Sequence, residues 1–184
     1  MGMWIAIAVI VIIGLWAVAV FNSLVQLRLQ SDGAWSDINV QLKRRHDLIP
    51  NLVETVKGYA GHEQRVFQQV TEARSRAMQV TAPKDREAAE NALAGTLKSL
   101  FAVAENYPQL RANENFLGLQ RSLAEIEDAV QAARRYYNAV VRDYNTKLQT
   151  VPDRFVASLG GFQAKEFFQL DAAEEAQTPK VAFS

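Results

Sequence analysis

The chain has 184 residues, 49% of them hydrophobic and 22% charged, which suits one domain with a sizeable core but not two full domains. Its 20 basic side chains balance its 20 acidic ones, so it lacks the positive field of a general nucleic-acid-binding protein. Because it contains no cysteine, disulfides, thiolate metal sites, cysteine nucleophiles and lipid attachment to an N-terminal cysteine are excluded.

The N-terminal residues predict a helix that crosses a membrane. Residues 3–21 are uncharged and almost wholly apolar, and as a helix they extend roughly 30 Å, the thickness of the hydrocarbon core. We predict an uncleaved anchor over residues 1–23 that carries Trp4, near one end where aromatic anchors lie, and Trp16, which lies deeper. Ala17-Val18-Ala19 resembles a signal-peptide cleavage site, but the run is long and no positive n-region precedes it.

Positive charges follow the anchor. Arg28 is the first charged side chain, and a basic cluster follows at residues 43–45. Under the positive-inside rule these charges favour a cytoplasmic body, although only Arg28 lies close to the bilayer. The predicted side of the membrane therefore depends on one residue.

The remainder of the chain predicts helices only. No segment alternates apolar and polar residues for the length of a strand, and no Asn-Gly or Asp-Gly hairpin turn occurs. Pro83, Pro108 and Pro152 separate helical patterns and predict helix boundaries, whereas Pro50 lies inside a pattern and predicts a kink. Gly33 allows a bend after the anchor, and a continuous helix there is the alternative.

Apolar residues that alternate three and four apart form three seams, each on one helix face. The longest comprises Phe116, Leu119, Leu123, Ile126, Val130, Ala133, Tyr137, Val140 and Tyr144. The second comprises Trp35, Ile38, Leu42, Arg45, Ile49, Leu52, Val56 and Tyr59, and continues past a weak point at Gly61 to Val80. The third comprises Leu93, Leu97, Leu100, Ala104 and Tyr107. We predict an all-α fold in which residues 24–170 form an elongated antiparallel three- to four-helix bundle.

The end of the predicted bundle is rich in aromatic residues. Phe155, Leu159, Phe162, Phe167, Phe168 and Leu170 surround Gly160-Gly161. We interpret this segment as a cap on the end of the bundle, and the alternative is a contact surface for another subunit or for lipid headgroups. Residues 171–184 contain few large apolar groups and predict a flexible tail.

Neither histidine stands in a pattern that binds a catalytic metal. A di-iron bundle requires Glu three residues before each His, and Lys43 and Tyr59 occupy those positions relative to His46 and His62. A zinc peptidase helix requires a second His where Val66 stands. No phosphate-binding glycine loop or serine elbow occurs either, so we predict no catalytic residue, cofactor or metal.

Two polar groups are candidates for interaction or for polar packing. In the cluster of Arg44, Arg45, His46 and Asp47, the register places Arg45 on the seam and Asp47 on the outer side. Arg45 therefore either extends to water or meets a carboxylate on a facing helix; the cluster sets the register or binds an anion or partner, with His46 as a pH-sensitive member. Asn138 and Asn145, seven residues apart, either bond locally or with solvent, or line a subunit contact.

The string Arg44-Arg45-His46-Asp47-Leu48-Ile49-Pro50-Asn51-Leu52-Val53-Glu54-Thr55-Val56-Lys57-Gly58-Tyr59 resembles the LemA family of bacterial membrane proteins. Matching motifs follow at Glu105-Asn106-Tyr107-Pro108, at residues 112–117, from Tyr137-Asn138 to Tyr144-Asn145, and from Gly161-Phe162 to Phe167-Phe168. The resemblance implies one N-terminal transmembrane helix, an elongated helical bundle and no enzyme activity. Some members are lipoproteins, and without cysteine this chain is expected to be anchored by its helix alone.

We predict a non-enzymatic, single-pass membrane scaffold that binds the lipid bilayer, self-associates and does not bind nucleic acid. The alternative is an accessory or sensory protein that couples an envelope signal to another membrane protein. The scaffold predicts contacts between copies, whereas the alternative predicts a different membrane protein as partner. An enzyme would require a polar pocket with abnormally titrating carboxylates.

Overall fold

A computed structural model describes residues 1–169 of the chain. Over this range it contains helices and no strand: α1 (Gly2–Lys57), α2 (Gln64–Gln79), α3 (Pro83–Glu105), α4 (Pro108–Arg111), α5 (Glu114–Gln149) and α6 (Asp153–Leu159). The all-α prediction with a long apolar N-terminal helix is therefore confirmed. Leu170 and the predicted tail at residues 171–184 lie outside the described residues.

Helix α1 is continuous from the apolar N-terminal residues into the body of the protein. It passes through Gly33 and Pro50 and ends at Lys57, so residue 23, the predicted end of the anchor, is not a helix terminus. A turn at residues 58–63 then separates α1 from α2, where the second seam weakens at Gly61. The seam continues on both sides of this turn as two helices rather than one.

The three prolines predicted to mark boundaries do so. Helix α3 begins at Pro83, α4 begins at Pro108, and Pro152 immediately precedes α6. Proline is tolerated at a helix start because the first backbone N–H groups have no partner within the helix.

The chain divides into two compact units, and both α1 and α5 contribute to each of them. The first unit comprises Met1–Arg45 and Ala124–Phe167, and the second comprises His46–Leu123 with Phe168 and Gln169.

In the first unit, α1 and α5 are antiparallel. Lys147 Nζ donates to Ser23 Oγ at 2.6 Å, and Gln30 Nε2 donates to Tyr136 Oη at 2.8 Å, so residue numbers rise along one helix as they fall along the other. Buried positions on this part of α1 recur at helical spacing, and they are Val20, Leu24, Ser31, Ala34, Ile38, Leu42 and Arg45. This half of α1 therefore presents one face to the protein.

The second unit has an apolar core drawn from five helices, α1 to α5, and from the turn after α1. Its buried residues are Ile49, Leu52, Val53, Val56, Ala60, Phe67, Val70, Ala73, Ala77, Leu93, Leu97, Leu100, Ala104, Leu110, Phe116 and Leu123. Burial of one such Leu, Val or Phe side chain contributes about 1.5–3 kcal/mol relative to exposure. These residues include all members of the third predicted seam except Tyr107, and the members of the second from Ile49 to Ala77 except Tyr59 and Val66, so the structure buries these seam positions as predicted.

Candidate functional site

The first part of α1 has no protein packed against it. Every residue from Met1 to Leu15 is exposed, and Trp4 keeps 72% of its surface. Other parts of the protein begin to cover α1 at Trp16, which is partly buried, and Leu24 is fully buried. A long apolar surface in contact with water is unfavourable, so this part of α1 requires an apolar environment outside the described protein.

Helix α6 and the turn after it cover the next part of α1. Val20, Leu24, Tyr144 and Ala157 form a buried cluster, against which Trp16, Leu27, Leu148, Val156 and Phe162 pack. The Phe162 ring meets the Phe21 ring edge-on, with 5.3 Å between centroids. Of the two predicted anchor tryptophans, Trp16 therefore belongs to a protein contact and Trp4 does not.

Two glycines make this turn fit. Gly161 closes α6 with φ +67°, a left-handed conformation that favours glycine. The Phe162 N–H then donates to the Ala157 carbonyl at 3.1 Å, and the Gly161 N–H to the Ser158 carbonyl at 3.3 Å, as in a Schellman motif. A Cβ at Gly160 would lie 2.6 Å from the Phe162 ring, so the ring position requires glycine there.

After the turn, an extended segment runs along α1 and α5, and a side-chain amide holds it. Asn145 Nδ2 donates to the Lys165 carbonyl at 2.8 Å, and Asn145 Oδ1 accepts from the Lys165 N–H at 2.9 Å. Tyr137 Oη donates to the Glu166 carbonyl at 2.9 Å, and the Lys165 ammonium pairs with Asp32. Asn145 thus bonds to the backbone of another, non-helical segment of the same chain.

Two tyrosines of this unit, Tyr137 and Tyr144, hold their protons more strongly than usual. Burial raises the pKa of Tyr137, and the charges of Asp32 and Glu166 raise it further. Burial also raises the pKa of Tyr144, with Arg28 acting in the opposite direction. Because the ordinary pKa of tyrosine is about 10, Tyr137 remains a hydrogen-bond donor through neutral and mildly alkaline pH.

The predicted basic cluster does not act as one group. Arg44 is exposed, whereas Arg45 is buried, with its Nε 3.4 Å from Glu127 Oε2 on α5. The seam arginine therefore meets a carboxylate on a facing helix. Asp47 is exposed, as its position in the register predicts, and Asn138 is partly buried on α5.

His46 and Glu90 form a buried pair in the second unit. His46 Nε2 lies 2.9 Å from Glu90 Oε1, and the Glu90 side chain is 0% exposed. Glu90 stands three residues before Leu93, in line with the third seam. Because Glu90 is charged, a pattern of apolar residues does not include it. Within residues 1–169, no group of three or more histidines, cysteines or carboxylates is placed to hold a metal ion.

Arg74 completes the polar surroundings of His46 and compensates for Pro50. In a helix, the carbonyl of residue 46 normally accepts from the N–H of residue 50, and proline has no N–H. Arg74 Nε, on α2, donates to the His46 carbonyl at 2.7 Å in its place. A side chain from another helix therefore satisfies the group that Pro50 leaves without a partner in α1.

We expect Arg74→Met to reduce the free energy of unfolding by about 1–2 kcal/mol, because a partly buried carbonyl loses its donor. In a Pro50→Ala background the restored N–H takes over, so the same substitution should then cost about 0.5 kcal/mol or less. Urea unfolding of the four proteins in this cycle measures the difference. Equal costs in the two backgrounds would contradict the proposed role of Arg74.

The three predicted phenylalanines lie in different surroundings. Phe162 is partly buried in the first unit, Phe167 is 44% exposed, and Phe168 is fully buried and assigned to the second unit. The larger exposed apolar side chains near this end belong instead to the region of α6, at Val151, Phe155 and Leu159. Their exposure depends on which face of α6 meets α1, which the sequence pattern did not indicate.

A comparison with family models places residues 34–183 in the family described as LemA. The chain belongs to the LemA family. Among curated relatives of this LemA protein, the one named Magnetosome protein MamQ 2, from Paramagnetospirillum magneticum, is 23% identical over 81% of this chain. Magnetosome protein MamQ from Magnetospirillum gryphiswaldense is 22% identical over 88% of the chain and 70% of its own length.

A relative named Protein LemA, from Metamycoplasma hominis, is 26% identical over 82% of this chain and 72% of its own length. The match covers only 64% of MamQ 2, so this LemA protein spans less than two thirds of that relative.

Proposed function

We propose that this LemA protein is a single-pass, membrane-anchored helical scaffold that self-associates. The observation that carries the proposal is the exposed, apolar N-terminal part of α1. No part of the described protein covers residues 1–15. Helix α1 is long and apolar enough to cross a membrane. A bilayer provides the apolar surroundings that the described protein does not provide there.

The polar groups of the body support a structural role rather than catalysis. His46 and Glu90 are buried, and His46 Nε2 contacts Glu90 Oε1, so a substrate has no direct access to the pair. Arg74 is engaged with a backbone carbonyl. These interactions stabilise the helices instead of presenting reactive groups at an open surface.

A groove between α2 and α3 supports self-association. It has a volume of about 810 Å³, with Ala88, Ala92 and Gly95 on one wall and Glu72 and Arg76 on the other. The short side chains of α3 permit a close approach of another helix. Glu72 and Arg76 lie 3.7 Å apart and pair within one chain. A twofold contact brings the same surface together twice, so each of these charges can also face its opposite on a second copy.

We expect the full chain to remain in the membrane pellet after an alkaline carbonate wash. A variant without residues 2–15 should be released, because the deletion removes the exposed apolar part of α1.

Extracted in mild detergent, the full chain should show a protein mass of at least two subunits by light scattering. Ala92→Lys, which places a charge in the groove, should shift it towards the monomer. Ala102→Lys, on an exposed position of α3 outside the groove, is the matched control.

Release of the full chain by the wash would contradict the anchor. A monomeric full chain would contradict self-association, and a crosslinked complex with a different membrane protein would favour an accessory role instead. Equal effects of Ala92→Lys and Ala102→Lys would place the contact between copies elsewhere.

A further inference from the structure

We propose that α6 and the turn that follows it form a second membrane contact, in which Phe155 and Leu159 insert into the headgroup region beside α1. The proposal rests on the proposed function, since it takes α1 as the spanning helix. The partner is the surface of the same bilayer, and the contact fixes how the first unit sits against that surface.

One face of α6 packs on the protein and the other does not. Ala157 is buried in the cluster with Val20 and Leu24, whereas Phe155 is 64% and Leu159 91% exposed. Phe155 and Leu159 lie four residues apart and therefore on the same side of α6. Val151, just before the helix, is exposed as well. Three large apolar side chains thus face away from the protein within nine residues.

A stretch without charged side chains lies between two ion pairs of the first unit. Lys147 reaches Ser23 and lies 3.9 Å from Asp153, at the start of α6, and Lys165 pairs with Asp32. Between these charges, residues 155–164 contain no charged side chain. Within this stretch, Val156, Ala157 and Phe162 belong to the same apolar cluster as Trp16, Val20 and Leu24 of α1.

The exposed face of α6 is continuous with the apolar surface of α1. Phe21, the last residue of the apolar run, is partly exposed and contacts Phe162, and a Cβ on Gly160 would lie 3.2 Å from the Phe21 ring. Leu159 directly precedes this glycine. Because Asn22 and Ser23 begin the polar part of α1, Phe21 marks the edge of the hydrocarbon core, and α6 lies at that edge.

The surroundings fit a lipid surface better than a second protein. Exposed Arg154, in the first turn of α6, is placed to meet lipid phosphates while Phe155 and Leu159 enter the acyl boundary. A short amphipathic element with apolar and cationic side chains is how proteins bind in the plane of the interface. Because the exposed face of α6 adjoins the proposed membrane span of α1, the bilayer rather than a second copy of the chain is the partner.

The experiment exploits the absence of cysteine. Single variants Leu159→Cys, Ile10→Cys and Arg142→Cys of the full chain, all at exposed positions, are labelled with the fluorophore NBD and reconstituted into vesicles of phosphatidylcholine and phosphatidylglycerol. Nitroxide-labelled lipid then reports contact with the bilayer. We expect the label at 159 to emit at a shorter wavelength than the label at 142, and its fluorescence to be quenched about twofold or more relative to that label.

The three positions separate the outcomes. Quenching at 10 but not at 159 overturns this proposal and leaves the anchor intact, and no quenching at 10 overturns the proposed function itself. Blue-shifted emission at 159 without quenching by lipid means that protein covers α6, which also overturns the lipid contact. A labelled variant with both Phe155→Ser and Leu159→Cys should lose at least half of the quenching that the label at 159 shows in the presence of Phe155.

Discussion

We expect Glu90→Ala to lower the free energy of unfolding by about 2–4 kcal/mol, because the substitution leaves His46 with a buried, unpaired ring nitrogen and opens a cavity in the second unit. Glu90 is 0% exposed, and its carboxylate lies 2.9 Å from the imidazole. Chemical unfolding followed by circular dichroism measures the change. Glu90→Gln retains an acceptor and should cost less than the alanine variant.

Glu105→Ala is the matched control for this prediction. Glu105 lies on the same helix, α3, but is exposed, so its removal should change stability by about 0.5 kcal/mol or less. In a double-mutant cycle with His46→Ala, the two losses should not add, since either substitution breaks the same contact. Additive losses, or equal losses for Glu90→Ala and Glu105→Ala, would mean that the pair does not stabilise the protein.

The second large effect is expected for Asn145→Asp, which should cost about 1–3 kcal/mol in the first unit. Asn145 both donates to the Lys165 carbonyl and accepts from the Lys165 N–H, whereas an ionised carboxylate can only accept. Aspartate preserves the shape but turns an acceptor oxygen towards the Lys165 carbonyl. We expect the amide of residue 165 to exchange with solvent faster by tenfold or more, which hydrogen-exchange mass spectrometry measures.

Gln120→Glu serves as the control for charge alone, because Gln120 is an exposed amide on the same helix, α5. It should leave exchange at residue 165 unchanged. Unchanged exchange in Asn145→Asp would show that Tyr137 and the pairing of Lys165 with Asp32 are sufficient to hold the segment.

The longest seam shows how far the sequence pattern reaches. All nine of its members on α5, from Phe116 to Tyr144, are buried or partly buried. This agreement has a physical basis, because the period of apolar residues along a helix determines which face can be removed from water. The same reasoning placed Arg45 on a seam and left open whether it reaches water or meets a carboxylate; in the structure Arg45 is buried and meets Glu127.

Contacts between distant segments were beyond the reach of the pattern. His46 and Glu90 are 44 residues apart, and the register of each helix does not determine how two helices align along their length. The contact of Asn145 with Lys165 also depends on the turn at Gly160-Gly161, whose backbone reverses the chain after α6. The sequence places aromatic residues around these glycines but does not indicate which atoms the reversal brings together.

Gly33 and Pro50 illustrate a different limit. Both residues weaken a helix locally, yet α1 continues through each of them. For Pro50 the reason lies on α2, where Arg74 satisfies the freed carbonyl, and no local rule contains that information.

The hold of Asn145 on the main chain has an evolutionary consequence. A bond to a peptide group is indifferent to the side chain that the peptide carries. Mutational drift at residues 163, 164 and 166 therefore leaves this attachment intact, and at position 165 proline is the substitution that removes its N–H donor. Selection on the attachment acts instead on one amide, so divergent relatives could keep the same trace of the chain with little sequence in common along the segment.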